Sequence, residues 1–372
     1  MADLREHLKW LEAKSRELID RCVVEAWDGT QLYTPDGSGG YPALWVRDFS
    51  DLVEYAWPLL DKEKASDNLM LITENQRMNG AIPDRIQPNG LAVFSPGPVE
   101  DPFSFWPALD NQMYFVIAAC SMARNLSQPQ MIYHLGDLLV NALHYVSRDV
   151  DGLVWVDPEH PRSGYGYHDA LNKTGADLFC SLLWWQAARS FAREARKLGP
   201  TLNQHINDLE SEARRVESAV GALWDADRGA FLAAGEQCRQ IDVWGSLYAV
   251  YIDFPLGSRR DRLIEFLVQN LERYTWRGQV RHLLKDEYWQ SARIEPGQYQ
   301  NGAYWAHASG WCFHALAQAD RARAERFMDE LVKYLRTEGA YECVTESDRK
   351  LEGFVSSAAV PYGVLARYLE SS

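Results

Sequence analysis

The chain has no apolar run approaching the ~18 residues that cross a bilayer. Its opening, Met1-Ala2-Asp3-Leu4-Arg5-Glu6-His7, alternates charged with apolar residues where a secretory leader would be continuously apolar. Both absences lead us to expect a cytoplasmic protein. There is no CxxC pair: six cysteines, at 22, 120, 180, 238, 312 and 343, are too scattered for a zinc site or a disulfide framework and read as buried thiols. No HxxxH or HxH spacing suggests a metal centre, so no metal or other cofactor is expected. Positive charge is scarce: 38 Lys plus Arg against 52 Asp plus Glu give a formal charge of −14, with no basic stripe, which argues against nucleic-acid and anionic-membrane partners. The run Gly37-Ser38-Gly39-Gly40 lacks both the GK[ST] ending and the preceding strand of a phosphate loop. No linker is visible, which leaves residues 1–372 as a single expected domain.

What the chain has in excess is aromatic surface: 14 Trp, 18 Tyr and 13 Phe among 372 residues. It also has a repeated helical period. Leu202, Ile206, Leu209, Ala213, Val216, Val220 and Leu223 step by three and four along one face. Met131, Leu135, Leu138, Leu139, Ala142, Leu143 and Val146 do the same. Such patterns predict twelve helices, near 4–27, 46–60, 65–76, 108–124, 128–147, 172–197, 201–223, 242–252, 258–271, 301–318, 320–337 and 354–369. Strand signals are confined to short pieces at 90–94 and 152–156. Short turns at 125–127, 198–200 and 319 alternate with long loops at 28–45, 77–107, 148–171, 272–300 and 338–353. The expected fold is therefore all-α, six helical hairpins closed into an (α/α)6 barrel with short β-hairpins in long loops gathered at one end. Loops of this length in compact proteins usually carry function.

Those loops place aromatics beside carboxylates and amides: Tyr41 to Phe49, Tyr165 to Lys173, Gln298 to Trp305, and Tyr341-Glu342-Cys343-Val344. A sugar offers apolar C–H faces and a rim of hydroxyls, so its pocket needs aromatic platforms flanked by planar hydrogen-bonding groups. Trp45-Val46-Arg47-Asp48, Ala108-Leu109-Asp110-Asn111, Lys173-Thr174-Gly175 and Gln300-Asn301-Gly302-Ala303-Tyr304-Trp305 are similar to the loop signatures of the six-hairpin glycoside hydrolases. That broad group contains glucoamylases, trehalases and processing α-glucosidases, and the resemblance runs over nearly the full length.

The resemblance implies an inverting mechanism with two carboxylates. It places the general acid just ahead of the sixth helix, at Asp169, and the general base between the eleventh and twelfth, at Glu342. As sugar-holding residues it and the loop composition offer Tyr41, Trp45, Arg47, Asp48, Asp110, Asn111, Tyr167, Lys173, Gln300, Asn301, Tyr304 and Trp305. The implied partner is a small soluble glycoside or oligosaccharide.

Each residue also has a plainer reading. Asp169 suits the N-cap of a helix starting near Ala170, Glu342 suits a pair with a surface arginine, and Asp48 and Asp110 suit helix starts. Trp45, Trp106, Trp289, Trp305 and Trp311 suit the core as well as a pocket. Two other functions remain open: a sugar 2-epimerase or isomerase of the same barrel class, using His168, His282, His307 or His314 as proton shuttles, and a non-catalytic sugar sensor. Lys173 and Arg47 raise the prospect of an acidic group on the ligand. The sugar and the oligomeric state are not legible.

Overall fold

The computed structural model of the protein describes residues 4–371. Among them are twelve α-helices of nine residues or more. In chain order these are α1 (Leu4–Arg21), α2 (Val46–Tyr55), α3 (Lys62–Glu74), α4 (Asp110–Asn125), α5 (Gln130–Tyr145), α6 (Leu178–Ala195), α7 (Asn203–Ala219), α8 (Val243–Tyr251), α9 (Arg259–Gln269), α11 (Ser309–Ala317), α12 (Arg321–Thr337) and α13 (Ser356–Ser371). The single turn α10 (Leu271–Tyr274) follows α9.

Two kinds of helix alternate. In α4 every residue from Asp110 to Ala123 is buried, and α2, α6, α8 and α11 are enclosed almost as completely. By contrast α7 buries only Ile206, Leu209, Ala213 and Val216, one stripe on an otherwise polar cylinder. A helix apolar all round must be surrounded by protein, whereas a striped one can face water. The packing follows: α2 lies against α4, α4 against α6, α6 against α8, α8 against α11, α11 against α13, and α13 against α2, closing an inner ring. The outer ring packs on it, with α1 on α13, α3 and α5 on α4, α7 on α6, α9 on α8 and α12 on α11.

Inner helices pass to outer ones by short turns, and outer helices return by long connections that each hold antiparallel pairing. The first carries β1 (Val23–Glu25) with β2 (Gln31–Tyr33), and then β3 (Leu44–Trp45). β3 joins β4 (Arg85–Ile86) and β5 (Ala92–Val93) of the second connection in a three-stranded sheet. Next come β6 (Trp155–Val156) with β7 (Gly175–Ala176), β8 (Trp224–Asp225) with β9 (Ala230–Phe231), and β10 (Thr275–Trp276) with β11 (Gln279–Val280). The last pair is β12 (Tyr341–Val344) with β13 (Arg349–Glu352), in register Tyr341 to Glu352 and Val344 to Arg349. All long connections therefore meet at the N-terminal ends of the inner helices.

The expected all-α double ring is what the chain forms. Three helices lose residues to β-pairing, while those expected at 46–60 and 201–223 end at Tyr55 and Ala219 and give way to 3-10 turns. α1 stops at Arg21 because Val23–Glu25 pair around the Asp28-Gly29 turn, α6 starts at Leu178 after Gly175-Ala176 pair with β6, and α11 starts at Ser309 because Tyr304 and Trp305 bridge to Val344 and Val280. The connection between α7 and α8 also carries a hairpin, β8 with β9, that the sequence pattern does not announce. All six cysteines are free and buried. Among the described residues no helix is long and apolar enough to cross a membrane.

Candidate active site

A cavity of about 530 Å³ opens where the long loops converge. Seven of the residues singled out from the sequence line it: Tyr41, Trp45, Arg47, Asp48, Tyr167, Asp169 and Glu342. The second loop adds Arg85, Gln87 and Phe103, and the later loops add Ile294, Tyr299, Lys350 and Phe354.

Asp169 does not cap a helix. That role belongs to Asp177, whose carboxylate accepts the Cys180 N–H at 2.9 Å, while Asp169 ends the 3-10 turn Gly166–His168 and faces the cavity. The turn is pinned from below, because Asp110, fully buried outside the cavity, accepts the Gly166 N–H at 2.7 Å. Gln300 is buried behind Asp169, where its Nε2 donates to Asp169 Oδ1 at 2.7 Å and its Oε1 accepts the Ala170 N–H at 2.9 Å. Burial pushes the Asp169 pKa up to about 7, against the opposing pull of Arg47 and of the Gln300 hydrogen bond.

Glu342 projects from β12 and is wired differently. Its Oε1 accepts both the Tyr41 hydroxyl at 2.8 Å and the Tyr299 hydroxyl at 2.9 Å. Its Oε2 has no hydrogen-bond partner among the described residues, and Lys350 Nζ stands 3.5 Å from it. The pair is with this lysine rather than with a surface arginine. Lys350 also lies 3.3 Å from the centre of the Tyr299 ring. Burial raises the Glu342 pKa, and Lys350 and the two tyrosines oppose the rise. The loop carrying Tyr41 is itself fixed by Asp36, whose carboxylate accepts the N–H groups of Ser38, Gly40 and Tyr41.

The opposite wall comes from the first turn of α2. Arg47 donates to Asp84 Oδ1 at 2.6 Å and, more weakly, to Asn111 Oδ1 at 3.4 Å, and Asp84 also accepts from Arg85 at 2.8 Å. A Cβ on Gly166 would fall 2.0 Å from Arg47 Nε, so only glycine lets the guanidinium lie across the turn. Asp48 is pushed up to about 7 by burial despite Arg47 and the Tyr167 hydroxyl, which donates to Asp48 Oδ1 at 3.2 Å. Trp45 carries the Arg85 guanidinium 4.6 Å from its ring centre.

The remaining candidates lie elsewhere. Asn111 and Asn301 are buried, Asn301 accepting the Trp289 N–H at 2.8 Å and donating to the Ile294 carbonyl at 2.9 Å. Lys173 is sealed beneath the loops with Asp177 at 2.8 Å; burial opposes its charge, yet Asp177 and Asp242 hold its pKa above the ordinary lysine value. Lys173 and Arg47 thus spend their charge on Asp177 and Asp84. Tyr304 borders a neighbouring groove, Trp305 and Trp311 are core, Trp289 belongs to a small satellite core, and Trp106 is exposed. His168, His282 and His307 are fully buried, the last two against Trp244 and His168 against His282, with pKa values lowered by burial, and none lines the cavity. Among the described residues no cluster of His, Cys, Asp and Glu could hold a metal ion.

Sequence reasoning passed over Asp36, Asp84, Arg85, Tyr299 and Lys350. A signal existed for Asp36, where Asp36-Gly37-Ser38-Gly39 spells a side-chain-capped turn; none distinguished Arg85 or Lys350 from surface cations.

The closed double ring of helical hairpins is a fold that this chain shares with solved structures named as glycosidases. The protein is similar in structure to the GH63 mannosylglycerate hydrolase of Thermus thermophilus, solved with Tris and D-glycerate, at a TM-score of 0.65 and 17% identity, over 95% of this chain and 99% of that one. It is similar also to a rhamnosidase from Klebsiella oxytoca with rhamnose bound, at 0.69 and 13%, over 99% of this chain and 65% of that one. A structure described simply as a wild-type glycosidase matches at 0.67 and 16%, over 100% and 99%. No family model matches the chain, and no curated protein matches it by sequence.

Proposed function

We propose that the protein is an inverting glycoside hydrolase acting on a small soluble glycoside or oligosaccharide, its barrel working as one catalytic domain in the cytoplasm. The observation that carries this reading is the unequal wiring of two enclosed carboxyls on one cavity. Asp169, with its pKa near neutrality, can hold a proton for the departing oxygen. Glu342 keeps one oxygen occupied by two tyrosines, while the other, beside Lys350 but without a hydrogen-bond partner among the described residues, can accept a proton from water. Arg47, Asp48, Trp45 and Tyr167 supply the hydroxyl ligands and the platform. A cavity of this size lies in the range of small-molecule sites, and the names of the similar structures above all denote glycosidases. The epimerase reading would need histidine facing the ring carbons, and the buried histidines stand behind the wall instead.

The test is a screen of aryl glycosides and natural disaccharides with product anomers followed by NMR. Inversion is expected. Asp169→Asn should lose several orders of magnitude on poor leaving groups and far less on activated ones, because those depart without a proton. Glu342→Gln should abolish both, with azide partly restoring turnover of the activated substrate. Retention of configuration, or near-normal turnover in Glu342→Gln, refutes the assignment; binding without turnover of any glycoside supports the sensor.

A further inference from the structure

The inner helices end at the opposite mouth of the barrel in a second basin, about 1050 Å³ in volume. Five arginines line it against two carboxylates, an inversion of the strongly acidic balance of the chain as a whole. Part of that charge is used locally. Arg189 and Arg196 share Glu210, and Arg367 donates to the Tyr251 hydroxyl and to the backbone carbonyl of Glu54 at the end of α2. Arginine on a helix carbonyl is ordinary capping, and the negative ends of the helix dipoles favour it.

Arg124 and Arg193 are different. Arg124, near the end of α4, makes one hydrogen bond, to Ser121 Oγ at 3.1 Å, and has no carboxylate within ion-pair distance among the described residues. Its pKa is lowered first by burial and then by the positive charge of Arg193 on the neighbouring α6. Arg193 commits only its Nε, to Glu194, a carboxylate that Lys197 also pairs. Neither guanidinium bonds a helix carbonyl, so capping does not account for their placement. Arg124 and Arg193 line one basin and their like charges oppose each other, which an anion taken up beside both would relieve, and a planar fork of N–H donors suits a phosphoryl or sulfuryl oxygen pair.

We propose that this basin binds a small, multiply charged oxyanion, such as a phosphate ester or pyrophosphate group, held between Arg124 and Arg193. The site is separate from the cavity that holds Asp169 and Glu342.

The test is calorimetric titration of the full chain with inorganic pyrophosphate and, separately, with inorganic phosphate. One ion should bind per chain, and Arg124→Gln combined with Arg193→Gln should weaken binding by at least about tenfold. Ser190→Asp leaves every arginine in place and adds a carboxylate to the basin lining, so it should weaken binding comparably and decides the matter if the double variant does not fold. Absence of binding by the wild-type chain overturns the proposal. So does unchanged binding in either folded variant, which would place the ion instead beside the Arg85 and Lys350 of the loop-end cavity.

Discussion

Replacing Asp169 by Asn should make the protein more stable at alkaline pH while crippling it as a catalyst. The amide keeps the shape of the carboxyl, and its oxygen can still accept from Gln300 Nε2. What changes is the cost of holding an anion in an enclosed place. Burial lifts the Asp169 pKa from 3.8 to about 7. At about 1.36 kcal/mol per unit, ionising this group in the folded chain costs up to ~4 kcal/mol relative to ionising it in the unfolded chain. The sign is that of a raised pKa. Below about 3.8 the carboxyl is protonated in both states and nothing is lost; as pH climbs toward 7 the unfolded chain ionises first and stability falls; above 7 the full cost is present. The Asn variant carries no such cost. Thermal unfolding followed by circular dichroism should therefore show the two proteins melting together near pH 4. By pH 8 the variant should melt several degrees higher, at roughly 2 °C per kcal/mol for a chain of this size. A gap that stays constant with pH, or a wild-type protein that melts higher at pH 8, would show that Asp169 is not held in a desolvating environment.

Lys350→Met removes the cation 3.5 Å from Glu342 Oε2 and should move the acidic limb of kcat/KM to higher pH, because a base without its cation ionises later; a pH-rate profile reads it, and an unmoved limb would mean the lysine does not act on Glu342. Gly166→Ala should cost about a hundredfold in kcat/KM with little change in far-ultraviolet dichroism, since its Cβ would displace Arg47 and the turn that carries Asp169; normal kinetics would refute that packing.

Much of the double ring was legible because the outer helices, α5 and α7 above all, leave a period of three to four residues in the sequence. Helix ends were less legible. Gly302, at φ 133, and Gly175, at φ 79, sit inside stretches whose composition reads as helix, and pairing with residues far along the chain decides against it. The two proposed catalytic carboxyls were visible by position between helices, whereas their environments were not: Gln300 and Asp169 are 131 residues apart, and Tyr41 and Glu342 301. Lys173 shows the converse. In sequence it stands beside the Asp169 loop and looks like an anion ligand; in the fold it turns inward to Asp177, four residues on. Arg189 and Arg193 share one face of α6 and Arg196 follows just past its end, a short basic stretch hidden by the acidic average of the chain.

The inner ring is closed by α13 against α2, and α13 is synthesised after every other helix of the ring. Until it emerges, one side of α2 has no neighbour, and until β12 emerges just before it Tyr41 on the first loop lacks the Glu342 carboxylate to which it donates. The loop-closure entropy of joining points some 300 residues apart grows only logarithmically with length, so the delay is a matter of biosynthetic order more than of free energy. A nascent chain stalled before residue 338 would lack the hairpin that carries Glu342 altogether, however well the earlier helical pairs had formed. The cavity would thus be complete only with the β12–β13 hairpin and the helix behind it, as a late checkpoint that the topology imposes on translation.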